Sequence, residues 1–306
     1  MSEKIVEIAQ DGSFIVMDET PKKPLKARRS ELKKKSIGSW IIFIVLLAIV
    51  LVWLFPFYMA LINSFKTKAE FLEGGPLALP HGINLSNIIK FWNDVNFPLK
   101  LWNSVLVSVL SAGIGVALSS VTAFALGIGR IRGRFWLLAV FMVAFTIPQE
   151  ALIFPFYKMA KMVGLYDSLL SVILIIGILN IAFGTYMLSA VLEEFPTELL
   201  EAAKIDGATT WRIFTSIVFP ILRPTLFVLA TFFFIYSWNE FLLPLVLLPS
   251  NDNQTVTLGL AITTGQWTTD PTARAAAALL GSLPSIIFFF IFQRTLMRGV
   301  TMGSVK

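Results

Sequence analysis

The chain has 306 residues, of which 56% are hydrophobic and only 14% charged, with a formal net charge of +6. Its mean hydropathy is +0.76. A soluble fold of this size could not bury so much apolar surface, so the composition excludes an ordinary soluble protein and indicates an integral membrane protein.

A basic head, residues 1–39, precedes the first apolar run. Its cations cluster at Lys22, Lys23, Lys26, Arg28, Arg29, Lys33, Lys34 and Lys35. Such a block is compatible with nucleic-acid binding or with attraction to anionic membrane lipid. We favour lipid as the partner, and expect no nucleic acid, because no stacking aromatics or folded reader motif accompany the block. Residues 13–17 predict a short strand, and no apolar signal-peptide core precedes Ile41.

Six apolar runs follow, and each is long enough to cross a bilayer as a helix. They lie at about residues 40–62, 102–128, 135–157, 168–191, 217–246 and 277–296. The predicted fold class is therefore an all-α integral membrane protein, with a basic segment over 1–39 and a six-helix transmembrane domain over 40–306. Six spans place both termini on the same side of the membrane.

The distribution of Lys and Arg predicts which side that is. The termini and the loops that share their side hold 18 of the 25 Lys and Arg residues. Because positive charge is retained in the cytoplasm, we expect cytoplasmic termini in a multi-pass protein of the cytoplasmic (inner) membrane.

The outward loop, about residues 65–101, contains His81, the only histidine of the chain. One histidine without any cysteine cannot supply a usual zinc site, so we interpret His81 as a turn residue. The sequence also lacks the GxSxG and HExxH motifs and any Cys nucleophile. We therefore predict no metal site, no bound cofactor and no catalytic residue, and expect a chain that is not an enzyme.

The second apolar run carries small polar residues at helical spacing. They are Ser104, Ser108, Ser111, Gly115, Ser119 and Thr122. Spacings of three and four residues place them on one helix face, which permits close approach of another helix. Ordinary helix packing is the interpretation we favour, and lining of a transport path is the alternative.

Two carboxylates lie inside predicted spans, where an ionisable group requires a reason. Glu150 follows Pro148 in the outer half of the third run, and Glu240 follows Trp238 and Asn239 in the outer part of the fifth. Asn180 lies near the middle of the fourth run. These groups either satisfy broken helices or face a polar solute, for which neutral amides and an aromatic ring are suitable.

Residues 195–224 form a more hydrophilic stretch between the fourth and fifth runs. Pro196 suits an early helical position, and Glu198 and Glu201 lie near the positive helix start. Gly207 stands where a helix ends, and a helical pattern resumes over 211–219. The pattern predicts a short helix, a glycine turn and re-entry into the membrane.

This arrangement resembles the EAA loop of ATP-binding-cassette importer permeases. The matching residues are Glu201-Ala202-Ala203, Asp206-Gly207-Ala208 and Phe219-Pro220. Further matches resemble the carbohydrate-uptake branch: Asn63-Ser64-Phe65-Lys66, Trp102-Asn103-Ser104, Ser237-Trp238-Asn239-Glu240-Phe241, Pro244-Leu245, Gln293-Arg294 and Arg298-Gly299. The resemblance covers roughly residues 40–306 and excludes the basic head.

The resemblance implies a transport subunit that is coupled to separate ATPases. It implies that Glu201 makes a polar contact with an ATPase, that Ala202 and Ala203 permit close approach, and that Gly207 turns the chain after Asp206. The coupling helix is expected from Leu199 to Asp206. Expected partners are a second, different permease, two ATP-binding-cassette subunits carrying ATP and Mg, and an extracytoplasmic solute-binding protein.

The expected function is import of a sugar across the cytoplasmic membrane. Two alternatives remain: a permease of the same kind for a non-sugar solute, and an ion-coupled carrier in which Glu150 or Glu240 binds protons or cations. The sequence does not distinguish a disaccharide from an oligosaccharide, a sugar alcohol or glycerol phosphate.

Overall fold

The computed structural model describes residues 6–8, 14–16, 37–129, 131–266 and 270–302. Contacts between residues divide the chain into two units, Met1–Leu54 and Phe55–Lys306. The boundary between 39 and 40 therefore stays a prediction, since this division falls inside a helix.

The first unit contains a small antiparallel hairpin. Strand β1 is Val6–Ile8 and strand β2 is Phe14–Val16, with Val6 opposite Val16. The strand predicted over 13–17 is thus confirmed. The cations between Lys22 and Lys35 lie outside the described residues.

The other regular elements of the described chain are helices, which are joined by turns and loops. In chain order the helices are α1 (Ile37–Ser64), α2 (Lys68–Gly74), α3 (Ser86–Asp94), α4 (Phe97–Gly127), α5 (Arg134–Thr146), α6 (Ile153–Met162), α7 (Leu169–Glu193), α8 (Thr197–Ile205), α9 (Thr210–Ile213), α10 (Phe219–Asn239), α11 (Leu242–Leu247), α12 (Val256–Gln266) and α13 (Pro271–Met302). A single π-helical turn, Phe214–Val218, joins α9 to α10. Short 3-10 turns are Gln149–Leu152 and Asn251–Asn253.

Among the described residues, five helices are long and apolar enough to cross a membrane, or six if one bent pair counts as a single span. They are α1, α4, α7, the continuous segment Thr210–Asn239, and α13 up to Arg294. The count of six spans stays a prediction, because it depends on the bent pair.

The third apolar run, predicted as a span over 135–157, consists of a bent pair of helices. Helix α5 ends at Thr146, and the helical segment Gln149–Met162, which contains α6, is bent by 86° relative to α5. Pro148 is the physical reason, because the residue before a proline is pushed out of helical geometry. Ile147 accordingly has an extended ψ of 121°.

The fifth run also breaks earlier than the predicted boundary at 246. Helix α10 ends at Asn239, and Glu240 is extended with a ψ of 128°. The Glu240 carboxylate then accepts the backbone N–H groups of Leu242 and Leu243, at 2.9 and 3.0 Å. A side chain that caps the next helix competes with continuation of the first one, so the chain forms α11 as a separate short helix.

Helices α4, α7 and α10 pack closely through the predicted small-residue face. Ser111 and Ser119 donate hydrogen bonds across to the carbonyls of Ile173 and Ile181 in α7, at 3.2 and 3.4 Å. A Cβ added at Gly115 would lie 2.8 Å from that of Asn180, so only glycine permits this approach. The packing interpretation of this face is confirmed at these positions.

Candidate functional site

Helix α8 begins two residues before the predicted start and ends one residue before the predicted end. Pro196 lies just ahead of its first residue with a ψ of 114°, so it precedes the helix instead of starting it. Leu200 and Ala203 are buried in a cluster with Ile213, Phe214 and other apolar residues. This anchoring holds α8 against the start of the next membrane helix.

The turn after α8 has the hydrogen bonds of a Schellman motif. Gly207 has a φ of +76°, a conformation that glycine adopts without a steric penalty. The Gly207 amide donates to the Lys204 carbonyl at 3.0 Å, and the Ala208 amide donates to that of Ala203 at 2.9 Å. These two bonds satisfy the last carbonyls of α8 and fix the direction of the chain that follows.

The exposed side of α8 and α9 carries apolar residues beside carboxylates. We call Glu198, Glu201, Ala202, Ile205 and Trp211 the α8–α9 face; its four α8 members share one helix side by their spacing. Ile205 is 87% exposed and Trp211 is 64% exposed. Large apolar side chains that protrude beside charged residues are typical of a docking surface.

Beside α8 lies a groove that connects three elements and that Glu201 of the α8–α9 face also lines. Arg134 at the start of α5 forms a salt bridge with Glu193 at the end of α7. The two residues line a cavity of about 220 Å³ together with Leu200, Glu201 and Lys204 of α8. Residues of α5, α7 and α8 therefore share the lining of one groove.

A cavity of about 490 Å³ lies where α5 breaks, between α7 and α10. We call it the break cavity. Its lining consists of Ala144, Phe145, Thr146, Ile147, Pro148, Gln149, Glu150, Leu179, Asn180, Phe183, Phe232, Phe233 and Tyr236. Non-helical backbone at membrane depth is tolerated where it lines such a cavity, and ligand pockets commonly span about 300–1,000 Å³.

A chain of hydrogen bonds crosses the rim of the break cavity. The Tyr236 hydroxyl donates to Gln149 Oε1 at 2.6 Å, and Gln149 Nε2 donates to Glu240 Oε2 at 2.8 Å. The other Glu240 oxygen caps α11, and Thr257 donates to the Glu240 carbonyl at 2.9 Å. The network fixes the Gln149 amide in one orientation and joins both helix breaks.

The five residues predicted for a solute path separate into two groups. Glu150 and Asn180 line the break cavity. Glu240, which is only 7% exposed, is connected to the cavity lining through its hydrogen bond from Gln149. Trp238 instead lines a different cavity of about 120 Å³, where its ring packs near Phe234. Asn239 also lines that second cavity and donates to the Ile235 carbonyl at 2.8 Å.

Sequence reasoning did not identify Gln149 and Tyr236. Tyr236 precedes Glu240 by four residues, so helical spacing already placed the two side chains near each other. Gln149 had no comparable indication, because its partners are 87 and 91 residues away along the chain. Only the folded chain brings this amide to them.

Two lysines on the predicted outer side are buried, which sequence reasoning did not predict. Lys66 is 1% exposed, and its ammonium donates to Asn63 Oδ1 at 2.8 Å and to the Gly75 carbonyl at 3.0 Å. Burial lowers the pKa of Lys66, and the Glu70 carboxylate raises it in part. Lys100 donates to both oxygens of Asn251, each at 2.8 Å. These ammonium groups connect the loops before α3 and before α12 to α1 and α4.

His81, predicted as a turn residue, lies in the loop between α2 and α3. Its imidazole Nδ1 is 3.4 Å from the Glu70 carboxylate and is largely solvent-exposed. Among the residues that the structure describes, no group of three or more His, Asp or Glu side chains is arranged to hold a metal ion.

Comparison with known families gives one match that covers most of the chain. The family described as the inner membrane component of binding-protein-dependent transport systems matches residues 115–302. This range includes the break cavity, α8, the Gly207 turn and α13 up to Met302.

Curated relatives and a solved structure agree with this match. The chain is 29% identical to the lactose transport system permease protein LacG of Rhizobium radiobacter, over 83% of this chain and 91% of the relative. It is 30% identical to the probable starch degradation products transport system permease protein AmyC of Thermoanaerobacterium thermosulfurigenes, over 90% of this chain and 100% of the relative. A bacterial ABC transporter that imports the acidic polysaccharide alginate shares the fold, with a TM-score of 0.73 at 22% identity, covering 86% of this chain and 97% of that one.

Proposed function

The chain belongs to the family of inner membrane components of binding-protein-dependent transport systems, and from this we propose that it is the permease subunit of an ATP-driven sugar importer. Its relatives are named as permease proteins for lactose and for starch degradation products. A di- or oligosaccharide is accordingly the solute class that these relatives support best.

The observation that carries the proposal is the α8–α9 face with its Gly207 turn. Glu201 and Ala202 are exposed on a helix whose other side, at Leu200 and Ala203, is anchored in the apolar core. A rigid, anchored helix that presents apolar and acidic side chains is suited to dock in a groove of an ATPase and to transmit its movement. We propose Glu201, Ala202, Ala203, Asp206 and Gly207 as this coupling element.

The groove beside α8 supports a route for that movement into the membrane. The Arg134–Glu193 salt bridge connects the start of α5 to the end of α7, next to α8. Helix α5 leads directly to the break at Pro148 and to the break cavity. We propose that displacement of α8 changes the width of the break cavity through these contacts.

The break cavity is proposed as this subunit's part of the solute path. Glu150 and Asn180 contact the cavity directly, and Glu240 supports it through Gln149. Trp238 and Asn239 belong to the neighbouring cavity, so their proposed contribution is to a second wall of the path. Discontinuous helices around a cavity are the form that transporter binding sites commonly take.

The proposed assembly contains four further subunits or proteins. A second permease supplies the other half of the path, two ATP-binding-cassette subunits hold ATP and Mg, and an extracytoplasmic binding protein delivers the solute. The Lys and Arg distribution supports cytoplasmic termini and a cytoplasmic α8 in the inner membrane.

Affinity capture of the tagged chain from membranes tests the coupling proposal. We expect an ATP-binding-cassette subunit and a second permease to co-purify, and Ile205→Ala to reduce ATPase recovery about fivefold or more, because it removes a protruding docking side chain. Met162→Ala is the matched control, since Met162 is 85% exposed but lies at the end of α6, on the predicted outer side. Equal ATPase recovery with both variants would remove the α8–α9 face from the proposal.

A further inference from the structure

We propose that the break cavity selects an uncharged, hydroxylated ring and disfavours anionic solutes such as uronic or phosphorylated sugars. The inference rests on the proposed function, because it takes the break cavity to be part of the solute path. Its basis is the combination of two carboxylates, one immobilised amide, one unpartnered amide and a set of aromatic walls.

Two carboxylates set the electrostatic character of the cavity. Glu150 lines it with an exposed side chain, and the buried Glu240 carboxylate lies directly behind the Gln149 amide. In a site partly shielded from water, a charge of the same sign within several ångströms of a carboxylate is disfavoured by about tenfold or more. An anionic solute would therefore be rejected where a neutral one is accepted.

Two amides supply neutral hydrogen-bonding groups. Gln149 is held by Tyr236 and Glu240, so its orientation is fixed before any solute arrives. Asn180 is 6% exposed and lines the cavity, while its Nδ2 is itself buried with no hydrogen-bond partner among the described residues. A buried amide N–H without a partner favours an acceptor, and rotation of this side chain into the cavity would let a sugar hydroxyl accept from it and donate to a neighbouring oxygen.

Aromatic rings form the remaining walls. The rings of Phe145 and Phe183 lie 5.2 Å apart, and Phe183 meets Phe233 edge-on at 6.4 Å. Together with Phe232 these rings line the cavity next to the amides. An apolar ring face beside fixed amides matches a pyranose, which has a hydrophobic C–H face and a rim of hydroxyls.

Thiol labelling in the assembled importer measures this charge preference without any transport. The chain has no cysteine, so Thr146→Cys places a single near-isosteric thiol in the cavity lining. Met162→Cys serves as the exposed control. The measured quantity is the labelling rate of a neutral hydroxyethyl methanethiosulfonate divided by that of its anionic sulfonatoethyl analogue. We expect this ratio to be about tenfold larger at position 146 than at position 162.

Glu150→Gln should raise the anionic rate at position 146 severalfold and leave the neutral rate unchanged. Equal neutral-to-anionic ratios at the two positions, or no response to Glu150→Gln, would overturn the proposal. Leu179→Cys, on the α7 side of the same cavity, repeats the measurement if the Thr146 variant does not assemble.

Protection of the same thiol tests the solute class. Maltotriose at millimolar concentration should slow alkylation at position 146 at least threefold more than trigalacturonic acid does. Protection by the acidic trisaccharide that equals or exceeds the neutral one, or protection by neither, would contradict the inference. ATPase co-purification is independent of this readout, so failure here is distinguishable from failure of the proposed function.

Discussion

The α8–α9 face and the Gln149–Tyr236–Glu240 network are built in opposite ways. The first is local: one helix, one Schellman turn and one anchored side lie within about 15 consecutive residues, and the outer side chains protrude into solvent. The second is assembled from chain segments up to 91 residues apart, and its carboxylate is almost fully buried. A docking surface must be exposed and stiff, whereas a selective cavity must fix its polar groups in advance.

This difference predicts that the two regions fail separately when mutated. Substitution on the α8–α9 face should impair ATPase binding and leave the cavity intact. Substitution in the network should impair solute handling and leave ATPase binding intact. Variants that impair only ATPase binding or only solute uptake would support this separation, and variants that impair both equally would contradict it.

The largest expected effect concerns the side of the membrane on which α8 and the loop before α12 lie. A cysteine at Asp252, in the loop before α12, should react with an impermeant thiol reagent added from outside, and one at Lys204 in α8 should not react at all. The neighbouring position 253 is less suitable, because the Asn253 amide donates to the Asp167 carbonyl at 2.6 Å and its loss would disturb the loop. Labelling of Lys204→Cys alone would reverse the orientation derived from the charge distribution.

Glu240→Leu should produce the next largest effect, a loss of solute uptake of more than tenfold. It leaves the Leu242 and Leu243 amides and Gln149 Nε2 without their acceptor. The loss costs about 1–3 kcal/mol for the buried Leu243 amide and less for the two partly buried donors. Basal ATPase activity and ATPase recovery should fall much less.

Glu240→Gln is the matched control for Glu240→Leu, because it retains an acceptor for α11 and the Gln149 amide can reverse its orientation. We expect a loss of uptake of about twofold to threefold. Uptake at the wild-type rate in both variants would remove Glu240 and its network from the solute path, while abolition by Glu240→Gln alone would favour ion coupling.

Gly207→Val should weaken ATPase recovery severalfold without loss of the membrane-inserted chain. The added Cβ meets nothing within 4 Å, so the penalty comes from the positive φ, at about 1–2 kcal/mol. Gly113→Val is the control, because a Cβ there also meets nothing within 4 Å but the backbone is helical. If the two variants bind ATPase equally well, the Gly207 turn does not position the docking helix.

The contrast also explains what the sequence could predict. The α8 helix, the stop at Gly207 and the small-residue face of α4 follow from spacing and local geometry, and each lies within a few residues of its predicted place. The breaks after Thr146 and Asn239 were not placed in the predicted span boundaries, although broken helices were one interpretation of Glu150 and Glu240. Averaged apolar composition predicts a continuous span even where one proline or one capping carboxylate ends the helix.

The candidate site was predicted only in part for the same reason. Glu150, Asn180 and Glu240 attract attention because polar groups are unfavourable inside membranes. Gln149 carries no charge, and its importance appears only when Tyr236 and Glu240 approach it in the fold. Trp238 and Asn239 adjoin Glu240 in sequence, yet helical rotation directs them to a different cavity.

Uptake by proteoliposomes that contain the purified importer tests the central claim most directly. With the binding protein and a neutral oligosaccharide outside and ATP enclosed, we predict accumulation that requires the ATPase subunits and persists when ionophores dissipate every ion gradient. Accumulation that continues without the ATPase subunits and collapses with the ionophores would contradict the account and identify an ion-coupled carrier.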